Sequence, residues 1–169
     1  MLGKVVKLFK LCWFDPLPFI LAGHGTMLAG RTGVFNVAQE GNMLFCSAVG
    51  FLITYYTGSP LVGVLAALLS GAMFGLALSY FTTTLKMDQF VIGLALFFVG
   101  FGLHTLIPKL ALGIVPSLPR IPTLSEVPIP LLSQIPTLGE IFFNQNLFVY
   151  FSFLLSVFLC FFLFLYARR

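Results

Sequence analysis

Long apolar runs alternate with short polar breaks along this chain, and the breaks mark where each predicted helix begins and ends. Leu147 to Tyr166 carries no charge and closes on Arg168-Arg169. At about 1.5 Å of rise per residue, a helix of that length crosses the roughly 30 Å hydrocarbon layer of a bilayer. Within it Ser152, Ser156 and Cys160 recur every four residues as a small-residue stripe. Leu61 to Leu85 is a second predicted span. In it Gly63, Ala67, Gly71, Gly75 and Ser79 fall at four-residue steps, a spacing that lets two helix backbones approach closely. Phe90 to Ile107 is a third, entered from Lys86 and Asp88 and stopped by Pro108-Lys109. Val34 to Tyr56 is long enough to span as well, yet its first part holds Asn36, Gln39, Glu40 and Asn42. Polar groups at membrane depth are costly and face a bundle interior or a watery cavity.

Two regions break the pattern. Between Gly113 and Asn146 the hydropathy falls and six prolines cluster, from Pro116 to Pro136. Proline repeated so often cannot continue a helix, which predicts a long external loop with room for one short interfacial helix. At the front, Lys4, Lys7 and Lys10 share a face opposite Val5, Leu8, Leu11 and Cys12, the pattern of an interfacial amphipathic segment over residues 1–15. A signal peptide is the rival there, weakened by Asp15-Pro16, which reads as cap and first residue of a new helix. That helix, Leu17 to Ala29, is short for a full crossing. The expectation is an all-α fold: a polytopic transmembrane helix bundle with a broken or re-entrant N-terminal helix pair. Helices occupy 16–112, a Pro-rich external loop 113–146, and a last helix with a basic cytoplasmic end 147–169.

Composition fixes the class. Of 169 residues, 59% are hydrophobic and 8% charged, against about a quarter charged in soluble domains. The net charge of +4 lies at the ends of apolar runs and reads as a topology signal, not a nucleic-acid footprint. With the proline-rich loop outside and the first short helix not crossing, seven of the nine basic residues lie inside; if that helix crosses, four do. Cys12, Cys46 and Cys160 lie far apart without metal-ligand spacing.

Little here supports chemistry. Gly25-x4-Gly30-Arg31-Thr32 superficially resembles a phosphate-binding loop, but such a loop needs a strand before it and an aqueous domain around it. His24 and His104 have no carboxylate near them in sequence and read as polar contacts between helices, not metal ligands. The stretch Arg31 to Leu44 is more informative. On a helix Asn36, Gln39, Glu40 and Met43 share one face, with Gly33 and Gly41 bracketing them. A glycine-interrupted polar helix is how transporters turn polar groups toward a cavity. The competing explanation is polar glue at a helix end, with Glu40 paired to Arg31.

The run Gly33-Val34-x-Asn36-Val37-Ala38-x-Glu40-Gly41-x-Met43-Leu44 resembles the signature of ABC importer permeases for nucleosides, simple sugars and branched-chain amino acids, closest to the nucleoside-type branch. Asp88-Gln89-x-Val91-x-Gly93-Leu94-Ala95-Leu96 is similar to the family segment that opens the helix before its external loop. Ile129 to Gly139, then Asn144-Gln145-Asn146-Leu147-x-Val149-Tyr150, resembles the end of that loop and the next span. Gly30 stands where the family has Glu, Ala38 and Cys46 where it has Gly, and Phe97 where Asn is frequent. Family members continue past Arg169 into a cytoplasmic loop that docks on the ATPase and into further helices, so the expectation is an N-terminal portion of a permease, truncated, split or separately encoded.

The resemblance implies a membrane subunit without catalytic residues or cofactor of its own. ATP is bound by a separate cytoplasmic ABC ATPase; the other partners are membrane lipid, a second permease subunit and an extracytoplasmic solute-binding protein. It places the chain in the bacterial inner membrane, carrying a nucleoside- or sugar-like solute. The shared face and flanking glycines of Asn36, Gln39 and Glu40 put these three on the path. Two alternatives stand beside it: a small substrate-capturing subunit of a vitamin-type importer, and a structural membrane subunit that transports nothing.

Overall fold

In a computed structural model, the structure describes residues 16–113, 119–122, 126–128 and 144–167. The N-terminal segment before Pro16, most of the proline-rich loop and the final Arg168-Arg169 lie outside the described residues, and with them the expected amphipathic segment and interfacial helix. Among the described residues five helices follow one another: α1 (Pro16–Arg31), α2 (Gln39–Thr57), α3 (Pro60–Ser79), α4 (Gln89–Leu112) and α5 (Leu147–Ala167). Two three-residue strands, β1 (Glu126–Pro128) and β2 (Asn144–Asn146), pair antiparallel with Val127 opposite Gln145. Among the described residues, three stretches are long and apolar enough to cross a membrane: Pro60–Thr84, Gln89–Leu112 and Leu147–Leu165. The protein is an α-helical membrane protein.

The chain divides into two compact units. One comprises Leu28–Thr123 and holds α2, α3 and α4; the other takes the chain up to Met27 and from Leu124, including the strand pair and α5. In the first unit α2 is the central helix and packs against both α3 and α4, which scarcely touch each other. The outward faces of α3 and α4 are lined by exposed Leu65, Leu69, Met73 and Leu76, and by Phe90, Leu94, Phe98 and Phe101. Such surfaces suit lipid, not water. In the second unit β2 runs directly into α5, so the pairing of β1 with β2 draws the two ends of the 126–146 stretch together at the start of the last helix.

Local chemistry sets the ends. Between α2 and α3 the chain reverses at Gly58, whose φ of 68° is left-handed and whose N–H closes on Thr54 O; Pro60 then opens α3 at its first turn. After Ser79 the helix widens into a π-helical turn, Tyr80–Thr84, and the hydroxyls of Thr82 and Thr83 donate to Leu78 O and Ser79 O. Asp88 caps α4, its Oδ1 accepting from Phe90 N at 2.9 Å and Val91 N at 3.0 Å.

Two expectations need correction. Pro108-Lys109 does not stop α4, which runs on to Leu112 and ends at Gly113 with φ of 74°. The fixed φ of proline is helical, and the lost N–H and the crowding of its ring against the carbonyl one turn back are defects that membrane helices tolerate. Asn36 is not on a helix: α1 ends at Arg31, Gly33 turns left-handed with φ of 82°, and α2 begins only at Gln39. The N–H groups of Thr32, Gly33 and Val34 close on Ala29 O, Gly30 O and Ala29 O, so the α1 carbonyls are used up and the helix cannot run through.

Candidate functional site

The break at residues 32–38 and the first half of α2 lie along α4, running in the same direction. Gln89 meets the break at Gly33 and Phe35; Gly93 meets Val37; Phe97 and Gly100 meet Gly41; His104 meets Leu44. Steps of four, four, three and four residues keep those α4 positions on a single helix face. The two sequence stretches singled out above, 33–44 and 88–96, are therefore one structural unit.

The centre of this seam is backbone on backbone. A Cβ placed on Gly41 would stand 2.6 Å from Phe97 O and 2.7 Å from Phe97 Cα, and one on Gly100 would collide with Gly41 O. Glycine lets the two helices touch where no side chain fits. Beside it, Val37 Cβ would lie 3.0 Å from a Cβ on Gly93. Toward the far end His104 Nδ1–H donates to Leu44 O at 3.0 Å, and Tyr56 Oη–H donates to Ala111 O at 3.2 Å. His104 is thus the interhelical contact the sequence reading expects. His24 is not: its Nδ1 bonds Ile20 O one turn back in its own helix.

The polar residues cluster at the start of α2. Asn36 Nδ2 donates to Gln39 Oε1 at 2.9 Å, while Asn36 Oδ1 is enclosed and has no hydrogen-bond partner. Glu40 is exposed in the first turn of α2, where a carboxylate meets the positive end of the helix. Asn36 and Gln39 are thus brought into contact, and Glu40, next in sequence, is exposed. One turn on, Cys46 Sγ–H donates to Asn42 Oδ1 at 3.2 Å. An open groove lined by Phe35, Lys86, Met87, Asp88, Gln89 and Phe90 lies where the break meets the start of α4. Among the described residues no cluster of His, Cys, Asp or Glu is built to hold a metal ion.

On the other flank of α2 the small residues of α3 divide. A Cβ on Gly63 would strike Thr54 Oγ1 and come within 2.8 Å of Gly50 O; Ala67 Cβ lies against Gly50; a Cβ on Gly71 would stand 3.1 Å from Cys46 Sγ. Gly75 has nothing within 4 Å and Ser79 is exposed. Gln89 enters the sequence reading only as a member of the 88–96 motif, without a role of its own, and Gly100 not at all; a glycine in an apolar run leaves no distinctive trace.

Residues 16–167 match the family described as "Branched-chain amino acid transport system / permease component". The chain belongs to this family. Two curated relatives are similar to it. The "Guanosine ABC transporter permease protein NupQ" of Bacillus subtilis is 32% identical over 158 residues, 85% of this chain and 46% of the relative. The "Putative glucose ABC transporter permease protein TsgC13" of Haloferax volcanii is 33% identical over 86 residues, 51% of this chain and 26% of the relative. The chain thus spans about half of one curated relative it matches and a quarter of the other. No solved structure matches. The motif resemblance to nucleoside- and sugar-type ABC permeases is matched by these findings, and the family is one of transport permeases, not enzymes.

Proposed function

We propose that the chain is part of the membrane-spanning permease subunit of an ATP-driven ABC importer, and that the solute is nucleoside-like. The observation that carries this is the family match over residues 16–167, covering the whole α1–α5 succession. The relative sharing most of this chain is named for guanosine and the one sharing less for glucose, which favours a nucleoside over a sugar. In this reading the subunit binds no cofactor of its own. ATP belongs to a cytoplasmic ABC ATPase, and a second permease subunit and an extracytoplasmic solute-binding protein complete the importer. The setting is the bacterial inner membrane, crossed several times, with the proline-rich loop outside and Arg169 inside.

In this reading Asn36, Gln39 and Glu40 stand on the translocation path. Amide and carboxylate side chains offer donors and acceptors to sugar hydroxyls and base nitrogens without requiring a charged solute. The test uses the complete permease with its ATPase and binding protein in vesicles, supplied with radiolabelled guanosine or glucose. Guanosine uptake that depends on ATP and exceeds glucose uptake is expected. Absence of ATP-dependent uptake of either removes the proposal. Glu40→Gln is expected to lower uptake, and Glu40→Gln with Arg31→Gln to leave it low; recovery in the double variant would make Glu40 a structural partner of Arg31 and take it off the path.

A further inference from the structure

We infer that Gln89 is a positioning residue for solute passage: its side-chain amide latches the 33–38 break onto the start of α4 and so sets where Asn36 stands. The inference rests on the proposed permease function and on Asn36 lying on the path.

A single planar group makes both bonds. Gln89 Oε1 accepts from Phe35 N at 2.8 Å, and Gln89 Nε2 donates to Gly33 O at 3.0 Å. The break belongs to neither helix: the N–H groups of Gly33 and Val34 close back on α1, whereas Gly33 O and Phe35 N are met by the one primary amide, which supplies a donor and an acceptor as a neighbouring strand would. Two bonds from one rigid group fix the segment in rotation as well as position. Four residues further along α4, Gly93 leaves the space in which Val37 is seated. Asn36 lies between these two anchors, tied forward to Gln39, its Oδ1 enclosed and without a partner. Any shift of the break therefore moves the Asn36–Gln39 pair and uncovers an acceptor that seeks an N–H or O–H.

Packing alone does not explain Gln89. Both of its bonds lie at the exposed edge, where an apolar side chain of equal length would fill the same space. Exposed hydrogen bonds exchange readily with water, so the latch can open and close again at small net cost. The neighbouring Asp88 is occupied in capping α4, which fixes the stem from which Gln89 reaches.

The experiment uses the complete transporter in vesicles, with radiolabelled guanosine and the amount of inserted permease measured in each sample. Gln89→Met keeps the length and loses both bonds. Gln89→Glu keeps the acceptor for Phe35 N but sets a carboxylate against Gly33 O, and guards against a Met variant that inserts badly. Both are expected to lower uptake per inserted molecule, Gln89→Met by about ten-fold, the factor that loss of one to two net hydrogen bonds allows. Combined with Asn36→Ala, neither should lower uptake further, because Gln89 acts through Asn36. Wild-type uptake per inserted molecule in both variants overturns the inference and leaves the permease function standing, as does a fall that multiplies fully with that of Asn36→Ala. A wild-type complex that moves neither guanosine nor glucose removes both.

Discussion

Gly100→Ala adds one methyl group at the point where α2 and α4 touch, and the structure predicts a cost out of proportion to its size. The new Cβ would fall on Gly41 O, 2.6 Å from Gly41 C and 3.0 Å from Gly41 Cα. Ordinary carbon contacts lie at about 3.5–4.0 Å, so the helices must part by roughly 1 Å. The obstacle is backbone and cannot rotate away, which puts the strain at the upper end of the about 1–3 kcal/mol typical of overpacking. Alanine in place of a mid-helix glycine returns about 1 kcal/mol of helix propensity. The net expectation is a loss of about 2 kcal/mol. Gly102, two residues along the same helix, is the internal control: it is exposed, and nothing lies within 4 Å of a Cβ there. Gly102→Ala should be neutral or stabilising by up to about 1 kcal/mol. Titrating purified protein from mild detergent into sodium dodecyl sulfate, with helix content followed by circular dichroism, gives the two midpoints side by side. Equal midpoints, or a larger drop for Gly102→Ala, would refute the backbone contact.

On the other flank, Gly63→Ala should destabilise by about 1–3 kcal/mol in the same titration, because Thr54 Oγ1 and Gly50 O occupy the space, while Gly75→Ala should be tolerated. Asp88→Ala removes the acceptor for Phe90 N and Val91 N and should cost about 1 kcal/mol, with Asp88→Asn recovering most of it. The charge pattern predicts that a cysteine at Ser125 reacts with an impermeant thiol reagent in intact cells and one at Arg169 does not; the reverse result would invert the topology.

The long helices were legible in the sequence because lipid imposes both a length and a composition, and Leu147 to Tyr166 satisfies both without ambiguity. The break near Asn36 was legible as a pair of glycines but not in its geometry. A periodic pattern continues across Gly33, whereas the backbone there turns left-handed and keeps Asn36 off the helix. The small-residue stripe was half legible. Steps of four in a helix of 3.6 residues per turn rotate by about 40° each, so Gly75 stands about 120° round from Gly63 and has left the seam. Gly41 reads in sequence as a weak point of a helix, when its role is to admit Phe97 and Gly100. Gln89 was legible as part of the 88–96 motif but its contact was not, since a side chain bonded to backbone more than fifty residues away leaves no local period.

The parallel seam between α2 and α4 also limits how these two helices can move. Sliding by one turn, about 5.4 Å, would carry side-chain-bearing residues into the gap that only Gly41 and Gly100 fit. Sliding is therefore blocked, and the angle between the axes is the freedom that remains. The glycine contact is then a fulcrum, with Gln89 at one end of the lever and Tyr56 at the other. Were the glutamine end released, a rotation about the glycine contact would spread the helices beside Asn36 and press them together around Ala111, one mouth of this seam opening in the same stroke that shuts the other.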